Sequence, residues 1–139
     1  MDESGLAAIE RLHRATNDHD LDGIVACFSE SYSNETPAHP ARGFVGREQV
    51  RTNWARILGA VPDLTASVLR STVDGTATWT EWEMRGTRVD GAAHLMRGVI
   101  IFGVDDDLIT WARFYLEPVD EADADVNVAV GRSLGEQAS

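Results

Sequence analysis

Two glutamates, Glu81 and Glu83, flank Trp82 in the stretch WTEWEMRGT at positions 79–87. Apolar and polar residues alternate there with a period of two, which is typical of a β-strand. Both carboxylates then lie on one face, and Trp82 and Met84 lie on the other. If the carboxylate face encloses a pocket, burial raises the carboxyl pKa values and general acid/base chemistry becomes possible. If it faces water, the pair only contributes charge or an ion-pair network, and the local pattern leaves both interpretations open.

The composition predicts one globular domain and disfavours several kinds of partner. The chain has 139 residues, of which 43% are hydrophobic, enough for a single core. Its net charge of −11 disfavours binding to nucleic acid or to an anionic membrane. Cys27 is the single cysteine, so an internal disulfide is excluded. With no leader and no long apolar segment in the sequence, we expect a cytoplasmic protein.

Motifs for a bound cofactor or metal are missing from the sequence. The histidines do not fall at metal-ligand spacing, and no glycine-rich nucleotide-binding motif occurs. We therefore expect neither a metal nor a cofactor, so chemistry would depend on side chains alone.

The elements that must position the two glutamates follow from hydrophobic periodicity and turn signals. Helices are predicted from Ser4 to about Asn17, over LDGIVACF, and over the segment that follows Gly46 and stops at Pro62. A short strand is predicted at 32–34. Long strands are predicted at 64–73, 76–88, 93–104 and 108–119, with Asp-Gly turns at 74–75 and 90–91 and a third turn at 105–107.

Four consecutive long strands twist strongly, and their apolar face needs a cover. The helices supply that cover, so the predicted fold is α+β: a curved antiparallel sheet wrapped on three N-terminal helices, as a cone-shaped half-barrel with an internal pocket. Residues 1–119 form this domain, and residues 120–139 form an acidic, loosely ordered tail.

Turn lengths predict which side chains share a face of the sheet. We take residues 90–91 as a two-residue turn and residues 105–107 as a three-residue turn. The small residues Gly98 and Ala112 then leave room for a ligand, and Trp54 of the third helix is expected to contribute to the pocket wall. A bulge in either strand would exchange the faces. The predicted pocket face carries Trp79, Glu81, Glu83, Gly98, Ile100, Ala112 and Phe114.

The opposite face is predicted to be broad, aromatic and rich in arginine, a composition typical of protein interfaces. We expect a homodimer through this face. The alternative is a monomer in which the acidic tail covers it. The predicted interface residues are Trp82, Arg97, Trp111, Arg113 and Tyr115.

The chain resembles the nuclear transport factor 2-like superfamily, which includes SnoaL-type polyketide cyclases, ketosteroid isomerases and limonene epoxide hydrolases. The order of elements carries the resemblance, together with three stretches: GREQV before the third helix, EWEMRGT, and DDDLITWARFYLEPV in the last strand. The resemblance spans residues 4–119. It implies a pocketed fold and a small apolar ligand.

The resemblance implies roles for only part of the family's catalytic residues. Tyr32 and Asn34 in YSNETP match the Tyr-x-Asn element with which limonene epoxide hydrolases orient a water molecule. The acid that those enzymes carry in the last strand falls at Phe114, and the acid that ketosteroid isomerases carry in the third long strand falls at Gly98. In SnoaL cyclases a histidine follows Gly-Thr, where this chain has Arg88. Each catalytic set is therefore incomplete.

Two hypotheses of function follow. The first is a cofactor-free enzyme of hydrolase or isomerase type, acting on a small apolar molecule with Glu81 or Glu83 as acid or base and Tyr32 and Asn34 positioning oxygen. The second is a ligand-binding or accessory protein without chemistry. The direction in which the two glutamates point separates the hypotheses.

Overall fold

The computed structural model describes residues 4–122 and 124–136. Its helices are α1 (Ser4–Asn17), α2 (Leu21–Ala26), α3 (Arg47–Ala60) and α4 (Val126–Ser133), with a 3-10 turn at Pro40–Arg42. Its strands are β1 (Phe28–Glu35), β2 (Phe44–Val45), β3 (Thr65–Asp74), β4 (Ala77–Thr87), β5 (Ala93–Asp105) and β6 (Leu108–Pro118). The strands form one curved, unclosed sheet in the order β2-β1-β6-β5-β4-β3. The predicted α+β fold is confirmed.

The first strand is longer than predicted and differently paired. It covers Phe28–Glu35 and runs parallel to β6, so the sheet is mixed rather than wholly antiparallel. Local pattern does not reveal this pairing, because the partner strand lies far along the chain. A fourth helix, Val126–Ser133, lies in the segment predicted to be a loose tail.

The connection between β4 and β5 differs from the predicted two-residue turn. Thr87 pairs with Ala93, so five residues form the loop. The Arg88 N–H donates to the Ala92 carbonyl at 2.8 Å and closes it. This shifts the predicted register by one residue, and because side chains alternate, a shift of one turns all of β4 over.

The connection between β5 and β6 also differs, but without exchanging faces. Asp105 pairs with Leu108, and the two turn residues Asp106 and Asp107 have φ values of 52° and 64°. Ile100 pairs with Phe114, where Gly98 was predicted. The turn displaces the register by one residue, and a bulge between Gly103 and Val104 displaces it by one more. The total is two residues, so the predicted facing of β6 relative to β5 is retained.

The core lies between the inner face of the sheet and α1 to α3. From β4 it receives Thr78, Thr80, Trp82 and Met84, all buried. Trp82 is 1% exposed, and its ring meets the His13 ring of α1 edge-on at 5.8 Å. Burial of this large side chain is a main reason why β4 presents its even-numbered residues to the helices.

Helix α1 is tied to the edge strand β3 by side chains that bond its backbone. Asn17 donates to the Ala66 carbonyl at 2.9 Å and accepts from the Ala66 N–H at 2.7 Å. The Nε2 atoms of His13 and His19 lie 2.7 Å from the carbonyls of Ala66 and Leu64. These bonds satisfy edge groups that have no neighbouring strand and fix the helix over the inner face.

Candidate functional site

Burial changes along the inner face of the sheet. On β6, Ala112 is fully buried, whereas Phe114 and Leu116 are half-buried. On β5, Phe102 is buried and Met96 is half-buried. The interior is therefore filled at one end and incompletely covered at the other. The half-buried apolar side chains that pack against the core from the inner face and α3 include Trp54, Ile57, Leu58, Met96, Phe114 and Leu116.

Tyr32 and Asn34 form a polar pair within this apolar surround. Both are on the inner face of β1 and buried, with exposures of 1% and 9%. The Tyr32 hydroxyl donates to Asn34 Oδ1 at 2.7 Å, and the ring packs edge-on against Phe28 and Phe44. Asn34 pairs with Ala112, one inner-face position from the half-buried Phe114. The pair therefore sits where the filled interior meets the open end.

The electrostatics of this pair suit hydrogen bonding rather than proton transfer. Burial raises the pKa of the Tyr32 phenol well above its usual range, so the hydroxyl stays neutral and donates. Asn34 Oδ1 is occupied by that donation. Among the described residues no acceptor binds the Asn34 amide nitrogen, which leaves it able to donate to an oxygen atom of a ligand or a water.

Glu81 and Glu83 do not share this interior, so the expectation that they line the pocket is wrong. Both point to the outer face of the sheet, because the five-residue loop shifts the β4 register. Arg70 binds Glu81 at 2.8 Å. Arg85 and Arg97 donate to Glu83 at 2.6 and 2.8 Å, and these bonds lower the pKa of its carboxyl. The ion-pair interpretation raised by the sequence therefore describes their surroundings.

The remaining predicted pocket residues have mixed outcomes. Trp79 lies on the outer face and is 45% exposed, so its predicted place in the pocket wall is wrong. Trp54 and Phe114 are half-buried at the open end. Gly98 and Ala112 are on the inner face, but neither opens space. A Cβ at Gly98 would overlap the Tyr115 carbonyl oxygen, so the glycine accommodates the close approach of β6.

The outer face carries most of the predicted interface residues. Arg97, Arg113 and Tyr115 are exposed there, and Trp111 lies partly covered over Gly103. Trp82 does not belong to this face, because its indole is in the core. A groove of about 410 Å³ runs along the outer face beside Trp79 and the Arg70–Glu81 pair.

A second pocket, of about 450 Å³, lies at the open end between α3 and the β4–β5 loop. Its walls join the apolar side chains of Ile57, Ala60 and Val61 to four polar ones: Asn53, Arg56, Arg88 and His94. The Val89 N–H donates to the Ala60 carbonyl at 2.9 Å and holds the loop against the helix. We call this set of residues the rim pocket.

Sequence reasoning missed the rim pocket. Arg56 occupies an exposed helix position with no motif around it, and His94 reads as a strand-end residue. Arg88 stands out only because it follows Gly-Thr, at the position where the resemblance to SnoaL cyclases implies a histidine. No local signal identifies them together, because α3 and the loop meet only in the folded chain.

Over residues 4–122 and 124–136, no group of three His, Cys, Asp or Glu side chains is placed to hold a metal ion. Within the same ranges, no helix is long and apolar enough to cross a membrane.

Comparison with protein families gives one match. A family model described as SnoaL-like domain matches residues 9–112, which is most of the chain. No protein among those with curated descriptions matches significantly.

Solved structures of the same fold are similar to the chain at low identity. A LEH-like epoxide hydrolase of M. tuberculosis is 23% identical, with 82% of this chain and 83% of that chain covered and a TM-score of 0.70. RV0760c of M. tuberculosis, in complex with estradiol-17beta-hemisuccinate, is 21% identical, with coverages of 81% and 92% and a TM-score of 0.70. A putative SnoaL-like polyketide cyclase of Jannaschia sp. CCS1 is 16% identical, with coverages of 84% and 87% and a TM-score of 0.71.

Proposed function

The chain belongs to the SnoaL-like domain family, and from that membership and its interior we propose that it binds a small, largely apolar molecule at the open end without carboxylate catalysis. Proteins of this fold include both enzymes and binders, since its similar structures comprise an epoxide hydrolase and a computationally designed 17-OHP binder. The fold therefore does not show whether this chain is an enzyme or a binder, and that question has to be argued from the residues of the site.

The observation that carries the proposal is the facing of the acids. Glu81 and Glu83 point outward into ion pairs with arginine. Among the described residues no Asp or Glu is buried. A general base must reach the proton it removes, so the inner face offers no carboxylate for the chemistry of the first hypothesis. Trp82 and Met84 occupy the inner positions of β4 instead.

What remains on the inner face suits recognition. Half-buried Phe114, Leu116 and Met96 provide apolar surface that a ligand would remove from water. The Asn34 amide nitrogen provides N–H donors, and the bond from Tyr32 to Oδ1 fixes the orientation of that amide. The ligand that fits is a mainly apolar molecule with at least one oxygen acceptor.

The test uses the neutral fluorescent probe N-phenyl-1-naphthylamine, whose emission rises in apolar sites. We expect saturable binding to the natural chain and at least about tenfold weaker binding to Leu116→Asp, because a carboxylate at the open end resists desolvation. Leu69→Asp is the matched control, since Leu69 is 51% exposed outside the interior and its change leaves binding unaltered. Native mass spectrometry of the purified chain then seeks a co-purifying ligand. Equal loss in both variants, or no binding to the natural chain, refutes the proposal.

We also propose that the chain forms a homodimer through the outer face of the sheet. Trp79 and Tyr115 are 45% and 41% exposed there, beside the apolar side chains of Val99 and Ile101. Arginine and glutamate pairs surround these residues, so both signs of charge are available to a second copy related by a two-fold axis. An exposed aromatic patch of this kind usually marks an interface.

A further inference from the structure

The rim pocket adjoins the apolar interior. His94 pairs with Gly86 and lies two residues before Met96 on the same inner face of β5. Ile57 lines the rim pocket and also packs against the core. A ligand whose apolar part lies along Met96 therefore ends beside the polar side chains of the rim.

The charge at the rim is opposite to that of the protein as a whole. The chain has a net charge of −11, yet the polar wall of the rim pocket holds two arginines and a histidine and no acid. Arg88 is paired with Asp90, so Arg56 is the unpaired positive charge of this wall. Such a reversal is unusual for a chain in which acids outnumber bases, and a local positive field favours an anionic group.

Two acids in the segments next to the rim pocket are engaged, and neither binds Arg56. Asp90 binds the Arg88 guanidinium and accepts from the Ala92 N–H at 3.0 Å. Asp63 accepts from the Thr87 N–H at 2.7 Å. Most arginines of the chain bind a carboxylate, whereas Arg56 makes no ion pair with any described residue. Its charge and its five N–H donors are therefore free for a ligand.

We infer that the molecule bound by this protein carries an anionic group, of the carboxylate type, which lies in the rim pocket against Arg56 and His94. This rests on the proposed binding function and narrows its ligand class to an apolar body with one acidic end. Arg56 supplies a planar pair of donors that matches a carboxylate, and His94 supplies one further ring nitrogen. Asn34, deeper on the inner face, is left to bind a second oxygen.

Two fluorescent probes with the same aromatic skeleton test the inference. N-phenyl-1-naphthylamine is neutral, and 8-anilinonaphthalene-1-sulfonate carries one anionic group. We expect the natural chain to bind the anionic probe more tightly. Arg56→Gln should weaken the binding of the anionic probe about fivefold, because an exposed ion pair contributes up to about that factor to an affinity. The affinity for the neutral probe should not change. Arg56→Lys should retain most of the preference, and His94→Gln should reduce it.

Arg14→Gln is the control, because Arg14 is an exposed arginine of α1 that is absent from the rim pocket. The preference for the anionic probe should also shrink as salt is raised. If both probes bind equally and Arg56→Gln changes neither, the inference fails while the binding function stands. If Arg14→Gln weakens the binding of the anionic probe as much as Arg56→Gln does, the effect comes from the overall charge of the protein and the inference also fails. If neither probe binds, the proposed function fails, and the inference that rests on it fails as well.

Discussion

Trp82 and Gly98 lie directly opposite one another on β4 and β5, with the indole buried against α1 and its Nε1 donating to Thr80 Oγ1 at 2.7 Å. This pair fixes which residues of β4 reach the interior. Even-numbered residues from Thr78 to Met84 point inward, so the intervening Glu81 and Glu83 point outward.

Substitution of the two tryptophans of β4 tests this facing. Trp82→Ala should lower the free energy of unfolding by about 3–5 kcal/mol, because it empties a buried site. Trp79→Ala, at a 45% exposed position, should change it by less than about 1 kcal/mol when both substitutions are made in the Tyr115→Asp background, which removes the proposed dimer. Urea denaturation followed by circular dichroism measures both. A larger loss for Trp79→Ala would show that β4 presents its other face to the helices.

Removal of the Tyr32 hydroxyl tests the polar pair of the interior. Tyr32→Phe should destabilise the chain by about 1 kcal/mol, because Asn34 Oδ1 loses its donor in a buried site. Tyr115→Phe is the matched control, since Tyr115 is 41% exposed and makes no such bond with a described residue. Chemical denaturation of both variants gives the comparison, and an equal effect would contradict a special role for the Tyr32 bond.

Acid dependence of stability tests the ion pairs of Glu83. Hydrogen bonds from Arg85, then from Arg97, lower the pKa of its carboxyl in the folded chain. The resulting stabilisation is fully present above the unfolded pKa of about 4.3 and is lost as pH falls through the lower folded pKa. The difference in thermal midpoint between the natural chain and Glu83→Gln should therefore be largest near neutral pH and vanish in acid.

The control for that measurement is Glu10→Gln, because Glu10 is exposed in the middle of α1 and makes no ion pair with any described residue. Its midpoint should follow that of the natural chain at every pH. A Glu83→Gln difference that grows on acidification would reverse the sign and contradict the ion-pair assignment.

The proposed dimer is tested by size-exclusion chromatography with light scattering. We expect twice the chain mass of 15.2 kDa at micromolar concentration. Tyr115→Asp should shift the species to monomer, because it places a carboxylate in the apolar patch of the outer face. Leu6→Asp, at a 41% exposed position on α1, should leave the dimer intact. A natural chain that elutes at 15.2 kDa, or a dimer that survives Tyr115→Asp, excludes this interface.

Much of the fold is determined by local sequence. The α3 helix follows from the apolar stripe at Val50, Trp54 and Ile57, and it begins and ends within a residue of its prediction. Asp-Gly and Asp-Asp dipeptides mark the hairpins. Strand ends are right to within one residue for β3 to β6. These features depend on spacing along the chain and on turn propensity, which are readable without the partner strands.

The facing of β4 was decided only by the tertiary structure. The predicted facing of β6 relative to β5 was retained, because the turn shifts the register by one residue, the bulge between Gly103 and Val104 shifts it by one more, and a shift of two preserves the face. The prediction for Glu81 and Glu83 failed because the loop at residues 88–92 shifted the register by one. The Asp90-Gly91 turn signal alone does not reveal how many residues the loop contains. Burial of Trp82 against His13 selects the observed register of β4. This contact joins α1 to β4, which are far apart in the sequence.

The same reason applies to the site. Tyr32 and Asn34 were predicted from the resemblance of YSNETP to a Tyr-x-Asn element, and both residues lie on the inner face of one strand. The rim pocket was not, because Arg56 and His94 belong to elements that have no sequence proximity. Sequence thus determines which side chains share an element, whereas the packing of helices on the sheet decides which of them meet in one pocket.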